Sequence, residues 1–418
     1  MVSLNLKNNI EYSLLKNDNF LPTLIIAVED DEQDSFLLPL TRKNRVIDNY
    51  NFLQSNNVLH EENIQYKRMC NHIKNKKKLT NRLSLLCRNI TNFFFVTAGV
   101  LYLITPPTRK CIVRKTAFHP PERGRTYFLS TYYNDKENLI FKSANEAFGY
   151  ENLILILPTL TKRENKFYKI YNQISRTTVK IIENKYKTKL VTLHCKCLYS
   201  NKVKKKSPYL IIFSQPNSSD LGCIMTSPFN FVDIADLLNV DVVAYDYSGF
   251  GLSESKPGEK ELFGDIEAVY EYSCNELGYL PENIILLGYS MGTAVSIYLG
   301  SKINNIGGLI LLAPFTSLLR ILFKNPFKEK TNMLDQFVSV DHADKIKAKT
   351  LIIHGISDSI ISVKHSMMIY KKLVNPVDPL WIDEGTHQSI FSDRTTWERI
   401  ILYLNKELNL TDKWKNII

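Results

Sequence analysis

The chain has no run of roughly 20 apolar residues that would read plainly as a membrane span. Its first twenty residues are polar and include Lys7, Glu11, Lys16 and Asp18, so no secretory leader is expected. Val2 lacks the glycine that myristoylation requires, and the final Lys-Asn-Ile-Ile is no prenylation signal. Cysteines number seven, an odd count at irregular spacing, which argues against a disulfide framework and for reduced thiols in a cytosolic setting. Only Cys195-Lys-Cys197 brings two thiols close, and no second pair with ligand spacing follows, so neither a metal nor another cofactor is expected. No aromatic stacking platform accompanies the basic residues, which excludes nucleic acid as the expected partner.

What the chain does have is positive charge in one place. The net charge is +11, and between Asn63 and Lys115 stand 12 Lys or Arg and no acidic residue. The rest of the chain is therefore close to neutral. Inside that block lies an apolar run, Phe93-Phe-Phe-Val-Thr-Ala-Gly-Val-Leu-Tyr-Leu-Ile104, closed by Thr105-Pro106-Pro107. Apolar runs of about 10–14 residues are core, interfacial or re-entrant segments more often than spans. With basic residues on both flanks, this one reads as an anchor facing an anionic membrane surface through residues 63–115. A buried helix with solvated flanks is the alternative. Cys87 and Cys111 sit near its two ends and are candidates for S-acylation.

Beyond residue 115 the pattern changes to short β-branched apolar runs at 209–213, 240–245, 284–287, 309–312, 350–353 and 380–382. Helix-like stretches at 261–277, 293–302 and 365–373 lie between them, and residues 179–197 read as leading antiparallel strands. Strand–helix alternation predicts an α/β fold, a mostly parallel central sheet with helices on both faces. The expected organisation is an N-terminal extension over 1–105, basic and poorly ordered, followed by one α/β domain over 106–410.

The chemistry concentrates at three strand ends. Ile284-Ile-Leu-Leu-Gly288-Tyr289-Ser290-Met291-Gly292 is a strand, a G-x-S-x-G turn and the start of a helix. A sharp turn of this kind needs small residues, here Gly288 and Gly292, and it lifts the Ser290 hydroxyl above the sheet as a nucleophile. Asp358 follows the strand ending at His354-Gly355, and His387 follows the last strand in Glu384-Gly385-Thr386-His387. Open α/β sheets gather functional groups at the carboxyl ends of their strands. The order serine, acid, histidine then predicts Ser290 as nucleophile, His387 as general base and Asp358 as the acid that orients it. His354 and His365 read as structural.

The sequence resembles the α/β-hydrolase domain-containing protein 17 family. The carrying segments are Tyr245-Asp-Tyr-Ser-Gly-Phe-Gly251, Asn217-Ser-Ser-Asp-Leu-Gly222, Lys256-Pro-Gly-Glu259, Pro379-Leu-Trp-Ile382 and a shorter Ala117-Phe-His-Pro-Pro121. The resemblance implies a membrane-associated thioesterase that releases palmitate from S-palmitoylated membrane proteins through an acyl-enzyme on Ser290, without a cofactor. It also implies a place on the cytoplasmic side of membranes, plasma membrane or endosomal, by peripheral or short-anchor attachment. The family's cysteine-rich amino-terminal region has no counterpart here. Where the family has His-Gly-Asn after the third strand, this chain has Gln215-Pro216-Asn217. That loop is expected to give one oxyanion-hole amide from Asn217, with Met291 giving the other. Proline cannot take the positive φ open to glycine, so a reshaped loop and weakened catalysis are expected consequences. The residues after His387, Gln388-Ser389, replace the family's Asn-Asp. Two further readings follow: a general carboxylesterase or lipid hydrolase, and a non-catalytic binding module that retains the fold.

Overall fold

The computed structural model describes residues 117–131, 139–158, 164–203 and 205–410, together with the backbone of four short strands near the amino terminus. Those four, Ser3–Leu6, Ile10–Leu15, Thr23–Val28 and Phe36–Leu40 (β1–β4), pair antiparallel in a sheet of their own. The basic segment 63–115, its apolar run, Cys87 and Cys111 lie outside the described residues.

Among the described residues the main sheet has eleven strands. Its parallel part consists of β10 (Leu210–Ser214), β11 (Asp241–Tyr245), β12 (Ile284–Tyr289), β13 (Gly308–Leu312), β14 (Thr350–Gly355) and β15 (Leu380–Ile382). The six predicted runs each became one of these strands, shifted by no more than a residue or two. Every residue of β10 to β14 is buried. That explains their unbroken apolar character, because helices cover both faces of a parallel sheet. Two core clusters result, one on each face.

Strand order across the sheet is β15-β14-β13-β12-β10-β11-β9-β8-β7-β5-β6. Here β5 is Phe128–Thr131, β6 Ile140–Phe141, β7 Leu153–Ile156, β8 Thr177–Glu183 and β9 Lys189–Cys195. β8 and β9 form the leading antiparallel hairpin, and β9 joins the parallel block by running antiparallel to β11. The edge strands β5, β6 and β7 are an addition that the sequence reading did not foresee. They are two to four residues long and too short to show a period. Cys195 and Cys197, the one close thiol pair, are both buried. Burial pushes the Cys197 thiol up to about 12 and Cys195 higher still, so neither is poised as a nucleophile.

Helices Glu259–Asn275, Met291–Lys302 and Val363–Lys372 fill the three predicted positions. Asp265 on the first of them is fully buried and binds both flanking loops. Its carboxylate accepts from Ser248 N (2.7 Å), Ser248 Oγ (2.8 Å) and Asn184 Nδ2 (2.7 Å). Burial pushes Asp265 up to about 7 despite these donors. A carboxyl whose folded value lies above its unfolded one adds stability at low pH and loses it as pH rises through the folded value. The unfolding free energy of wild type, relative to Asp265→Asn, should therefore decline between pH 4 and 7 and level off above. Denaturant titrations of both proteins across that range measure it.

Candidate active site

The turn after β12 decides the site. Ser290 has φ +52° and ψ −115°, a region costly for a residue with a side chain. The turn is held on both sides: Ser290 N donates to Leu312 O on the neighbouring strand end (2.8 Å), and Ser290 O accepts from Thr293 N (2.9 Å) and Thr293 Oγ1 (2.6 Å). Gly292 has no alternative, since a Cβ there would lie 1.9 Å from Ser214 O. A Cβ on Gly288 would meet Gly292 O at 2.4 Å. The small residues of the motif are thus packing requirements. They bring the first turn of helix Met291–Lys302 against the end of β10. Ser290 occupies the N-cap position but makes no capping bond, which leaves its hydroxyl for other partners.

That partner is His387. Ser290 Oγ lies 2.9 Å from His387 Nε2, and His387 Nδ1 lies 2.7 Å from Asp358 Oδ2. All three are more than nine-tenths buried. The carboxylate accepts four hydrogen bonds: Ile360 N and Ile361 N at 2.8 Å each on Oδ1, His387 Nδ1 and His354 Nε2 (3.1 Å) on Oδ2. Burial by itself would raise Asp358. Donation from His354, His387 and Ile361 N outweighs it and holds the carboxyl well below the usual range. An ionised Asp358 accepts only, so His387 carries its proton on Nδ1 and turns the Nε2 lone pair to Ser290. This is the arrangement in which a histidine can take a hydroxyl proton.

Several positioning groups were not legible in the sequence. Tyr289, the variable residue before Ser290, donates its hydroxyl to His387 O (2.5 Å) and stacks on Phe391. The nucleophile strand thereby fixes the histidine loop directly. His354, expected to be structural, is fully buried and shares the carboxylate. Its Nε2 also meets Ile361 O (2.8 Å), and its Nδ1 meets Ser366 Oγ (2.5 Å). His365 is structural as expected: its Nδ1 meets Thr316 Oγ1 (2.8 Å), and burial pushes it down to about 4. Thr386 N donates to Ser389 Oγ (2.8 Å) and Ser389 N to Thr386 Oγ1 (3.2 Å), so the Gln388-Ser389 sequence closes the histidine loop.

The Gln215-Pro216-Asn217 loop follows β10 beside the first turn of helix Met291–Lys302. Gln215 is buried, and Asn217 Nδ2 lies 3.3 Å from His119 Nδ1. None of Gln215, Pro216 and Asn217 has a positive φ. Met291 heads its helix, where the first amides have no acceptor within the helix. Among the described residues no group of three or more His, Cys, Asp or Glu is placed to hold a metal ion.

The sheet order and the hydrogen-bonded Ser–His–Asp chain above its carboxyl edge define an α/β hydrolase. A family model described as serine aminopeptidase, S33, matches residues 230–339. The chain is 35% identical over 200 residues to human alpha/beta hydrolase domain-containing protein 17B, covering 48% of this chain and 67% of that one. It is 36% identical over 202 residues to the 17C protein of Xenopus tropicalis, covering 48% of this chain and 63% of the relative's length. A longer match, 29% over 307 residues, joins it to alpha/beta hydrolase domain-containing protein aho-3 of Caenorhabditis elegans, covering 72% and 80%. The chain belongs to the α/β-hydrolase domain-containing protein 17 family.

Tyr289→Phe removes one hydroxyl and the bond that fixes His387. A buried neutral hydrogen bond contributes about 1 kcal/mol, so kcat should fall about fivefold with little change in fold. Steady-state hydrolysis of a simple ester, with thermal unfolding as control, checks this.

Proposed function

We propose that this chain is a serine hydrolase that cleaves thioesters of membrane-associated, S-palmitoylated proteins through an acyl-enzyme on Ser290. The observation that carries the reading is the continuous hydrogen-bonded chain Ser290–His387–Asp358, set at a strained turn.

In the first half-reaction Ser290 Oγ attacks the thioester carbonyl carbon while its proton passes to His387 Nε2. The C–S bond then breaks, and the imidazolium returns that proton to the cysteine sulfur. In the second half, His387 takes a proton from water as the oxygen attacks the acyl carbonyl carbon, the bond to Ser290 Oγ breaks, His387 returns the proton to Ser290 Oγ, and the fatty acid leaves. The Met291 and Asn217 amides are the proposed donors to the negative oxygen in both steps. The hydrogen bonds that hold Asp358 well below the usual carboxylate range keep it charged as an acceptor for His387 Nδ1.

The segment after β13 exposes Leu322, Phe323, Met333 and Leu334, interleaved with Lys324, Lys328 and Lys330. That pairing suits an acyl chain borne on an anionic surface. Residues 63–115 add the second basic and apolar segment, and we assign them to attachment at the cytoplasmic face, with Cys87 and Cys111 as the acylation candidates. Among the described residues no helix is long and apolar enough to cross a membrane.

A fluorophosphonate probe should label the full chain, and Ser290→Ala should abolish labelling. Palmitoyl thioester should then be turned over faster than the matched oxygen ester; the reverse preference would favour a carboxylesterase or lipid hydrolase. Absence of labelling in a folded protein would favour the binding-module reading. A fusion of residues 1–120 to a fluorescent reporter should sediment with membranes, and a wholly soluble fusion contradicts the attachment.

A further inference from the structure

The loop that follows β10 is held from behind by three consecutive residues of the next strand end. Tyr245 Oη and Ser214 Oγ lie 2.9 Å apart. Gln215 Nε2 donates to Asp246 Oδ1 (2.8 Å), and Tyr247 Oη donates to Gln215 O (2.7 Å). Each member of the Tyr-Asp-Tyr triplet thus grips the Ser214–Gln215 link at a different atom. Tyr247 stands edge-on to both Tyr245 and Phe250 behind it, and these three rings and Asp246 are fully buried.

Asp246 is itself immobilised. Its Oδ2 accepts from Tyr127 Oη (2.5 Å), and its Oδ1 also accepts from Leu221 N (2.9 Å). Gly251, at φ +50°, leaves the space this carboxylate fills; a Cβ there would lie 1.9 Å from Asp246 Oδ2. Gln215 spends its amide on this fixed carboxylate, while its Oε1 is buried without a hydrogen-bond partner. A side chain that accepts such a cost is one whose placement matters.

The consequence lies one peptide further on. Pro216 has no N–H, so the first amide beyond Gln215 is that of Asn217. With Gln215 clamped at both carbonyl and side chain, and the Pro216 φ fixed by its ring, little freedom remains in the direction of that amide. Gly292 sets the other boundary, with Ser214 O and Gln215 O against it. Resting on the hydrolase reading above, we propose that Gln215, Asp246 and Tyr247 are positioning residues that aim the Asn217 amide at the reacting oxygen. Gln215 replaces loop flexibility by a buried hydrogen bond, and that bond lets the chain carry proline at 216.

The test compares the full chain with Tyr247→Phe and Gln215→Met, two changes that remove hydrogen bonds at nearly constant volume, and with Gln215→His, which keeps a ring N–H donor. Simple-ester kinetics, affinity for an alkyl boronic acid that becomes tetrahedral on Ser290, and thermal unfolding are measured on each. Misaiming a donor acts on the transition state, so in the first two variants kcat should fall about 10- to 100-fold. KM should stay within about twofold, because ground-state binding is untouched. Boronate affinity should fall in step with kcat, and Gln215→His should recover most of both. Unchanged kcat and boronate affinity in folded Tyr247→Phe and Gln215→Met would overturn the assignment while leaving the hydrolase intact. Equal loss in Gln215→His and Gln215→Met, or a fall in kcat that follows thermal stability alone, would also overturn it. A wild-type chain that neither turns over ester nor binds the boronate would overturn the hydrolase reading and this one together.

Discussion

One strained peptide unit organises the molecule. Ser290 sits at a positive φ that its side chain disfavours, and the conformation persists because strands on both sides and a helix in front leave no alternative. Leu312 O and Thr293 hold its main chain. Gly292 lets the helix press against Ser214, and Tyr289 reaches out to the histidine loop. β12, which leads into this turn, is buried between β10 and β13. The cost and its function are inseparable, since the same turn raises the hydroxyl to where His387 can reach it.

The second constraint is electrostatic. Asp358 is a buried carboxylate that would favour its neutral form, yet four donors saturate its oxygens and keep it charged. Two come from its own loop, one from His387 and one from His354. The buried carboxyls Asp265 and Asp246 show the opposite balance, because there desolvation prevails over the donors. The difference follows role. Asp358 accepts from the histidine that meets Ser290, whereas Asp265 and Asp246 accept from groups that tie loops together.

The sheet and the members of the hydrogen-bonded Ser290–His387–Asp358 chain were legible because each has a local signature. β-branched runs buried on both faces mark parallel strands, and G-x-S-x-G between a strand and a helix marks the turn. Asp358 and His387 stand just beyond strand ends in the order this fold requires. What was not legible depends on contacts distant in the chain. Tyr289 looked like the free position of a motif, because its partner is a carbonyl 98 residues away. His354 carried no sign that it would share Asp358. The contacts of Gln215 with Asp246 and Tyr247 on the neighbouring strand end were likewise invisible when the Gln215-Pro216 pair was read as an isolated loop. The short edge strands β5 to β7 lacked the length to declare a period.

The central claim is that Ser290 carries the acyl group. Mixing the full chain with a long-chain acyl thioester, quenching in acid within the first turnovers and mapping peptides by mass spectrometry tests it most directly. The account predicts one acyl group on the peptide containing Ser290 and none in Ser290→Ala. Thiol release with no adduct on Ser290, or an adduct on a cysteine alone, would contradict it.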